Sequence, residues 1–251
     1  MSITRYPITI EGETTDIGTA AELVVALDVL QGQHDRLVLE QLRPHLAQII
    51  SGPQGLHAVL KVLAPEDQIY LLDALGSELP RIISRAAALR DILATLAEAR
   101  VEERLLQTLG AEGLRGLIGS AEELAEILEW VYGDCDRLVL RLVGPAYLKR
   151  LCLGGYELSL VLHALDQTGQ QELLATLGWA RVRSLIRDRR DLAYLLRALP
   201  AGLSQRLLNQ MSDERLRNVV RDENDWRYLN PYLETAEATL LAGRLGVQSH
   251  A

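Results

Sequence analysis

The chain contains no phenylalanine, and aromatic residues make up only 4% of its 251 positions. Aliphatic side chains, leucine above all, must therefore fill the interior, a composition that suits helices better than sheets. Cysteine occurs twice, as Cys135 and Cys152. That is too few for a disulfide framework, and both are expected to be small buried hydrophobes. An excess of basic residues is also missing: 34 acidic against 26 basic residues leave a net charge of −8. This argues against generic binding to a polyanion while leaving room for local patches. Acidic residues such as Glu22 and Asp28 interrupt the richest apolar stretches, so no run reaches the roughly 18 residues of a membrane span. Met1 to Gly12 lacks the charged, apolar and small-residue zones of a signal peptide, and a cytoplasmic location is expected. With 48% hydrophobic and 24% charged residues, the chain can bury a core and does not read as disordered.

Motifs for chemistry are equally scarce. Neither the Gly-x-x-x-x-Gly-Lys-Ser/Thr phosphate loop nor the Gly-x-Gly-x-x-Gly dinucleotide fingerprint occurs. The histidines, His34, His45, His57, His163 and His250, show no metal-ligand spacing, and the cysteines are 17 residues apart with no third soft ligand nearby. No nucleophile elbow is present. Glu122 with Glu123, and Asp134 with Asp136, sit at expected helix starts, where they favour the positive end of the dipole. No catalytic residue, cofactor or metal is expected.

What is present is a repeat. Leu-x-x-x-Leu-x-x-Leu begins at Leu23, Leu56, Leu89, Leu124, Leu158 and Leu192, and Trp226 opens a partial seventh copy. A second column holds Leu39, Leu72, Leu106, Leu140, Leu174, Leu208 and Leu241, and a third holds Ile50, Ile83, Ile118, Cys152, Ile186 and Val220. Three columns share one period of 33 to 35 residues, which is the mark of a repeat architecture. Within a copy the spacing i, i+4, i+7 predicts helix A, and a leucine pair followed by a further leucine predicts helix B. A glycine closes helix B at Gly76, Gly110, Gly144 and Gly178, where a left-handed cap is expected. Arg43 and Ser212 fill that slot in the outer copies, which predicts weaker caps there. A short helix C follows, and the next helix A opens after Ser120, Gly154, Asp188 or Asp222, three of them good N-caps.

The expected fold is all-α: a solenoid of about six and a half stacked three-helix copies. Residues 1–13 are predicted to form an extended arm, 14–225 the six-copy solenoid, and 226–251 a partial copy that closes the core. The arm includes the alternating segment Ile3 to Ile10, interrupted by Pro7, and predicts contact with a partner or a second copy by strand addition. On its three columns and short helices the chain resembles the HEAT-like and armadillo-like α-solenoids along nearly its whole length. The tetratricopeptide and ankyrin signatures do not recur. The period is similar to that of transcription-activator-like effector repeats, whose basic paired recognition positions have no regular counterpart here. The class-level resemblance implies a non-enzymatic protein-binding scaffold and assigns no catalytic residue.

One basic column runs through the copies. Arg115, Lys149, Arg183 and Arg217 stand 34 residues apart, with Arg81 close to the same place in the second copy. Two readings stay open: stems laid over the neighbouring copy with heads on a carbonyl or carboxylate, or a row of cations facing a partner. By contrast, the position five residues into helix A reads Asp28, Lys61, Ala94, Glu129, His163 and Arg197, the scatter of a solvated face. Between Arg181 and Arg227 the local charge is +4 while the remainder carries −12. Arg187, Arg189 and Arg190 cluster in one inter-copy loop. Trp179, Tyr194 and Tyr228 lie in the same third, as interface anchors or as fillers of a leucine core. The expectation is an acidic protein or peptide partner held by these residues, with a nucleic-acid backbone on the same column as the alternative.

Overall fold

A computed structural model describes residues 4–246. Ile3 of the expected arm, and residues 247–251 with His250, lie outside the described residues. The protein is an all-α helical solenoid preceded by a two-stranded hairpin. Helix A occupies Ala20–Leu30, Pro53–Val62, Ala86–Leu93, Ala121–Leu128, Gly155–His163, Arg189–Ala198 and Glu223–Leu229. Helix B occupies Asp35–Leu42, Pro65–Leu75, the first half of Ala99–Leu117, Cys135–Val143, Gln167–Leu177, Ala201–Gln210 and Thr235–Leu245. Helix C is one or two turns, as in Pro145–Leu151, Trp179–Leu185 and Asp213–Val219. No helix among the described residues is long and apolar enough to cross a membrane.

The chain forms two compact units. One runs to Gly119 and takes in Trp130–Val143; the other comprises Ser120–Glu129 and the chain from Gly144 onward. The fourth copy is thus divided, its helix A in the second unit and its helix B in the first. Within each unit helix A packs on helix A of the adjacent copy, and helix C of one copy packs on helix B of the next. All three repeat columns are buried in every copy, including Trp226 and Cys152. Helices this short are marginal alone, whereas each fully buried leucine contributes about 1.5–3 kcal/mol. Stacking therefore supplies most of the stability.

The glycines that close helix B have positive φ, as expected: +45° at Gly76, +63° at Gly110, +80° at Gly144 and +78° at Gly178. They are not left-handed helical caps. Their ψ values, such as −175° at Gly110 and 159° at Gly144, fall where almost only glycine is found. The chain there reverses straight into helix C instead of unwinding. Ser212, in the same slot, solves the turn differently: its hydroxyl accepts from Arg215 N–H and N-caps helix C. Ser120, Asp188 and Asp222 each accept an N–H of the first turn of the helix A they precede.

At the N-terminus the extended segment is half of a hairpin. Tyr6–Ile10 (β1) pairs antiparallel with Glu13–Ile17 (β2), with Ile10 opposite Glu13. The two-residue loop Glu11-Gly12 has φ of 51° and 89°, matching the primed turns that fit strand twist. The hairpin therefore runs past the expected boundary at residue 13, because the turn places a second strand there. Ile8 and Ile17 bury one face, and β1 packs on the first helix B. The outer edge of β1 is closed: Thr9 N–H donates to Gln41 Oε1 at 2.8 Å and Gln41 Nε2 donates back to Thr9 O at 3.0 Å. This clamp obstructs strand addition at that edge of the arm; among the described residues the outer edge of β2 carries no such clamp.

A further column emerges near the start of helix B, where Asp35, Gln68, Glu102, Asp136, Gln170, Ser204 and Glu237 are all buried. Gln68 and Gln170 donate to Leu60 O and Leu162 O at 2.8 Å. Ser204 donates to Glu237 of the next copy. Glu102 accepts Tyr132 N–H at 2.8 Å through one oxygen, and its other oxygen has no hydrogen-bond partner. Burial holds the Glu102 carboxyl above the ordinary value of 4.5, opposed by the Tyr132 N–H. A raised folded pKa means that this carboxyl stabilises the fold only while protonated, and that stability is lost as pH rises through the raised value. Glu102→Gln retains an acceptor for Tyr132 and supplies the donor that Gln68 and Gln170 use. At pH 7.5 the variant is expected to gain about 1 kcal/mol. In urea titrations the gain should vanish near pH 4; an equal gain at both pH values would contradict the assignment.

Candidate functional site

Helix C carries the basic column, and the structure shows where its heads lie. Arg115 Nε donates to Val143 O at 2.8 Å, and Arg183 Nη1 donates to Gln210 O at 2.9 Å. Each guanidinium thus caps the carbonyl end of helix B in the following copy, where a cation opposes the negative pole of the dipole. Arg244 does the same for the sixth helix B, donating to Leu208 O at 2.6 Å. Lys149 and Arg217 are exposed and have no ion pair among the described residues. Trp179 lies one turn before Arg183 on the same short helix, with the Arg206 guanidinium 5.1 Å from its ring centroid.

The loop cluster divides likewise. Arg187 donates to Leu153 O, and Arg189 Nη1 meets Asp225 Oδ1 at 2.5 Å while its guanidinium lies 5.0 Å from the Tyr228 ring centroid. Both heads are held within the stack. Arg190 faces outward on helix A and shares that face with Tyr194 and Arg197 at spacings i, i+4, i+7. Tyr194 stands apart from Trp179, which belongs to helix C.

The outward face of helix A in the second unit brings exposed aromatic and charged side chains together. Three equivalent places read Glu122, Glu126 and Glu129 in the fourth copy, Tyr156, Leu160 and His163 in the fifth, and Arg190, Tyr194 and Arg197 in the sixth. The rings of Tyr156 and Tyr194 meet edge-on at 5.2 Å, a favoured aromatic geometry. They remain 41% and 38% exposed. Arg190 and Arg197 have no ion-pair partner among the described residues. The face thus grades from acidic through aromatic to basic across adjacent, packed helices. Tyr156 was not singled out by sequence because it stands one turn earlier in its helix than Tyr194 does. In the first unit the corresponding face is floored by small residues, among them Ala20, Gly52, Gly55 and Ala88, in a groove of 1140 Å³.

The cysteines supply no nucleophile. Burial, first of all, pushes the Cys135 thiol up to about 11 and the Cys152 thiol to about 12, so both are protonated at neutral pH. Among the described residues no three His, Cys, Asp or Glu side chains cluster as metal ligands.

No protein-family model matches the chain, and no curated protein matches it. Among solved structures it is similar to a Puf4 mutant bound to the Cox17 RNA 3′ UTR recognition sequence, at 10% identity, over 92% of this chain and 93% of that one, with a TM-score of 0.47.

Proposed function

We propose that the protein is a non-enzymatic binding scaffold whose second unit presents the helix A face to a segment of a partner protein. The observation that carries this reading is the exposed Tyr156–Tyr194 pair flanked by Arg190 and Arg197. Large rings left half in water beside uncompensated guanidinium groups are the composition of binding hot spots. The partner segment has an apolar or aromatic centre over the tyrosines and an acidic end over the arginines. Glu122, Glu126 and Glu129 set its direction by repelling that end.

A second reading follows from Tyr156, Tyr194 and Tyr228 lying in three consecutive copies with arginines between them, since aromatic platforms with cations also suit single-stranded nucleic acid. The three glutamates oppose a phosphate backbone crossing the same face, and two heads of the helix C column are occupied by carbonyls. These points favour protein. The test uses a labelled twelve-residue peptide with a Trp-Leu centre and one aspartate-rich end, the same peptide with lysine in place of aspartate, and a twelve-nucleotide oligo-U RNA. The acidic peptide is expected to bind, and Arg190→Glu with Arg197→Glu to weaken it at least about tenfold, equivalent to 1.4 kcal/mol. Binding of RNA alone, with affinity falling steeply as salt rises, would establish the second reading instead.

A further inference from the structure

We infer that the groove between the N-terminal hairpin and the first helix A is a docking site for an amphipathic helix with basic margins, contributed by another protein. The repeat itself shows what shape belongs there. In later copies the place equivalent to Ala26 is held by Val59, Ile92, Ile127, Val161, Leu195 and Leu229, all fully buried. This flank of helix A faces the preceding copy: a Cβ on Gly55 would lie 2.9 Å from Ala20 Cβ, and one on Gly155, whose own flank faces forward, meets Asp191 of the following copy. Each later copy in a unit therefore receives a helix across this flank.

The first copy receives none among the described residues. Its hairpin packs on helix B, leaving Ala26 and Leu30 only half-buried. Val25 and Val29, one turn apart on the groove wall, are 63% and 75% exposed. The space is 790 Å³ and is floored by Ile8, Ile17, Ala26 and Leu30. A stacking surface built for a helix, apolar in composition and unfilled, matches the way amphipathic helices enter grooves.

Charge selects the occupant. Among the described residues Glu11, Glu13, Asp16 and Glu22 line the groove against one lining cation, Arg5, which is bound to Glu22 at 2.7 Å, while Glu11 meets the His34 ring at 3.2 Å from outside the lining. The margins of the incoming helix are therefore basic. A second copy of this chain fits poorly in either orientation. Two such grooves face to face would oppose their acidic rims. Head-to-tail stacking would bring up the last helix A, whose forward flank presents the exposed Glu223–Arg227 ion pair instead of apolar residues.

The experiment measures binding of an eighteen-residue acetylated peptide with leucine and alanine at i, i+3, i+4, i+7 and lysine at the margins, in 150 mM salt. Two control peptides keep its composition with the stripe scrambled, or carry glutamate for lysine. The first peptide is expected to bind the full chain one to one. Both controls, and the Val25→Gln/Val29→Gln variant, should weaken binding at least tenfold. Arg190→Glu/Arg197→Glu should leave it unchanged, which separates this site from the helix A face of the second unit. Val25 and Val29 are exposed, so circular dichroism of the double variant should match the parent. Equal affinity for the scrambled peptide, or binding insensitive to the valine changes, would overturn the inference. So would a doubled mass in light scattering that returns to one chain in the valine variant, which would make the occupant a second copy.

Discussion

Gly155→Ala is expected to lower the melting temperature by about 6–12 °C, corresponding to about 3 kcal/mol, the upper part of the range for overpacking. The added Cβ would lie 2.5 Å from Asp191 O and 2.7 Å from Asp191 Cα. These are backbone atoms of the adjacent helix A and cannot rotate away. Gly155 N–H also donates to Asp191 Oδ1 at 2.9 Å, so moving the helices apart breaks a bond as well as loosening Leu158 and Val161. Gly202→Ala is the matched control. Gly202 lies inside Ala201–Gln210, and a Cβ there would meet nothing within 4 Å. Its replacement should stabilise by up to about 1 kcal/mol through helix propensity. Thermal melts of the two variants check both signs; equal melting temperatures would show that the helix A contact is looser than described.

Asp225→Ala is the second large effect, with an expected cost of about 3 kcal/mol at pH 7, because it strands groups that are now paired. Asp225 is buried at the start of the last helix A. Its Oδ2 accepts Arg221 N–H at 3.0 Å and its Oδ1 accepts Arg189 at 2.5 Å. The Arg221 N–H first, and the Arg189 guanidinium after it, hold the carboxyl below its ordinary value of 3.8 despite desolvation. A depressed folded pKa contributes stability that is complete above the unfolded value and is lost as pH falls through the folded one. The gap between the parent and Asp225→Ala in urea midpoint should therefore be full at pH 6 and close progressively below about pH 4. A gap that widened on acidification would contradict this account.

The leucine columns were legible because every copy needs the same apolar side chain at the same place to meet its neighbour. Ser120, Asp188 and Asp222 were legible because a helix start has few chemical solutions. The hairpin was not: its turn uses Glu11 at a positive φ, where asparagine or aspartate is the usual signal. At the basic column, recurrence alone did not separate packing from recognition. Arg115 and Arg183 each cap the helix B that follows, a packing role, whereas Lys149 and Arg217 of the same column are exposed. The place reading Glu129, His163 and Arg197 varies, and its neighbours in the fold include the exposed tyrosine pair. The leucine columns repeat because stacking requires it, whereas the proposed recognition face differs along its length.

The polar residues buried beneath helix B have one further consequence. Gln170 reaches Ala198 O at 3.4 Å, Ser204 reaches Glu237, and Glu102 holds Tyr132 N–H, each in the succeeding copy. These are private agreements between particular neighbours, written in donors and acceptors that no leucine can replace. A chain whose interior modules were transposed would conserve its oily spine and still leave mismatched groups sealed away from water. The running order of the modules is thereby enforced from inside, and recombination among them is restrained without any demand from a partner.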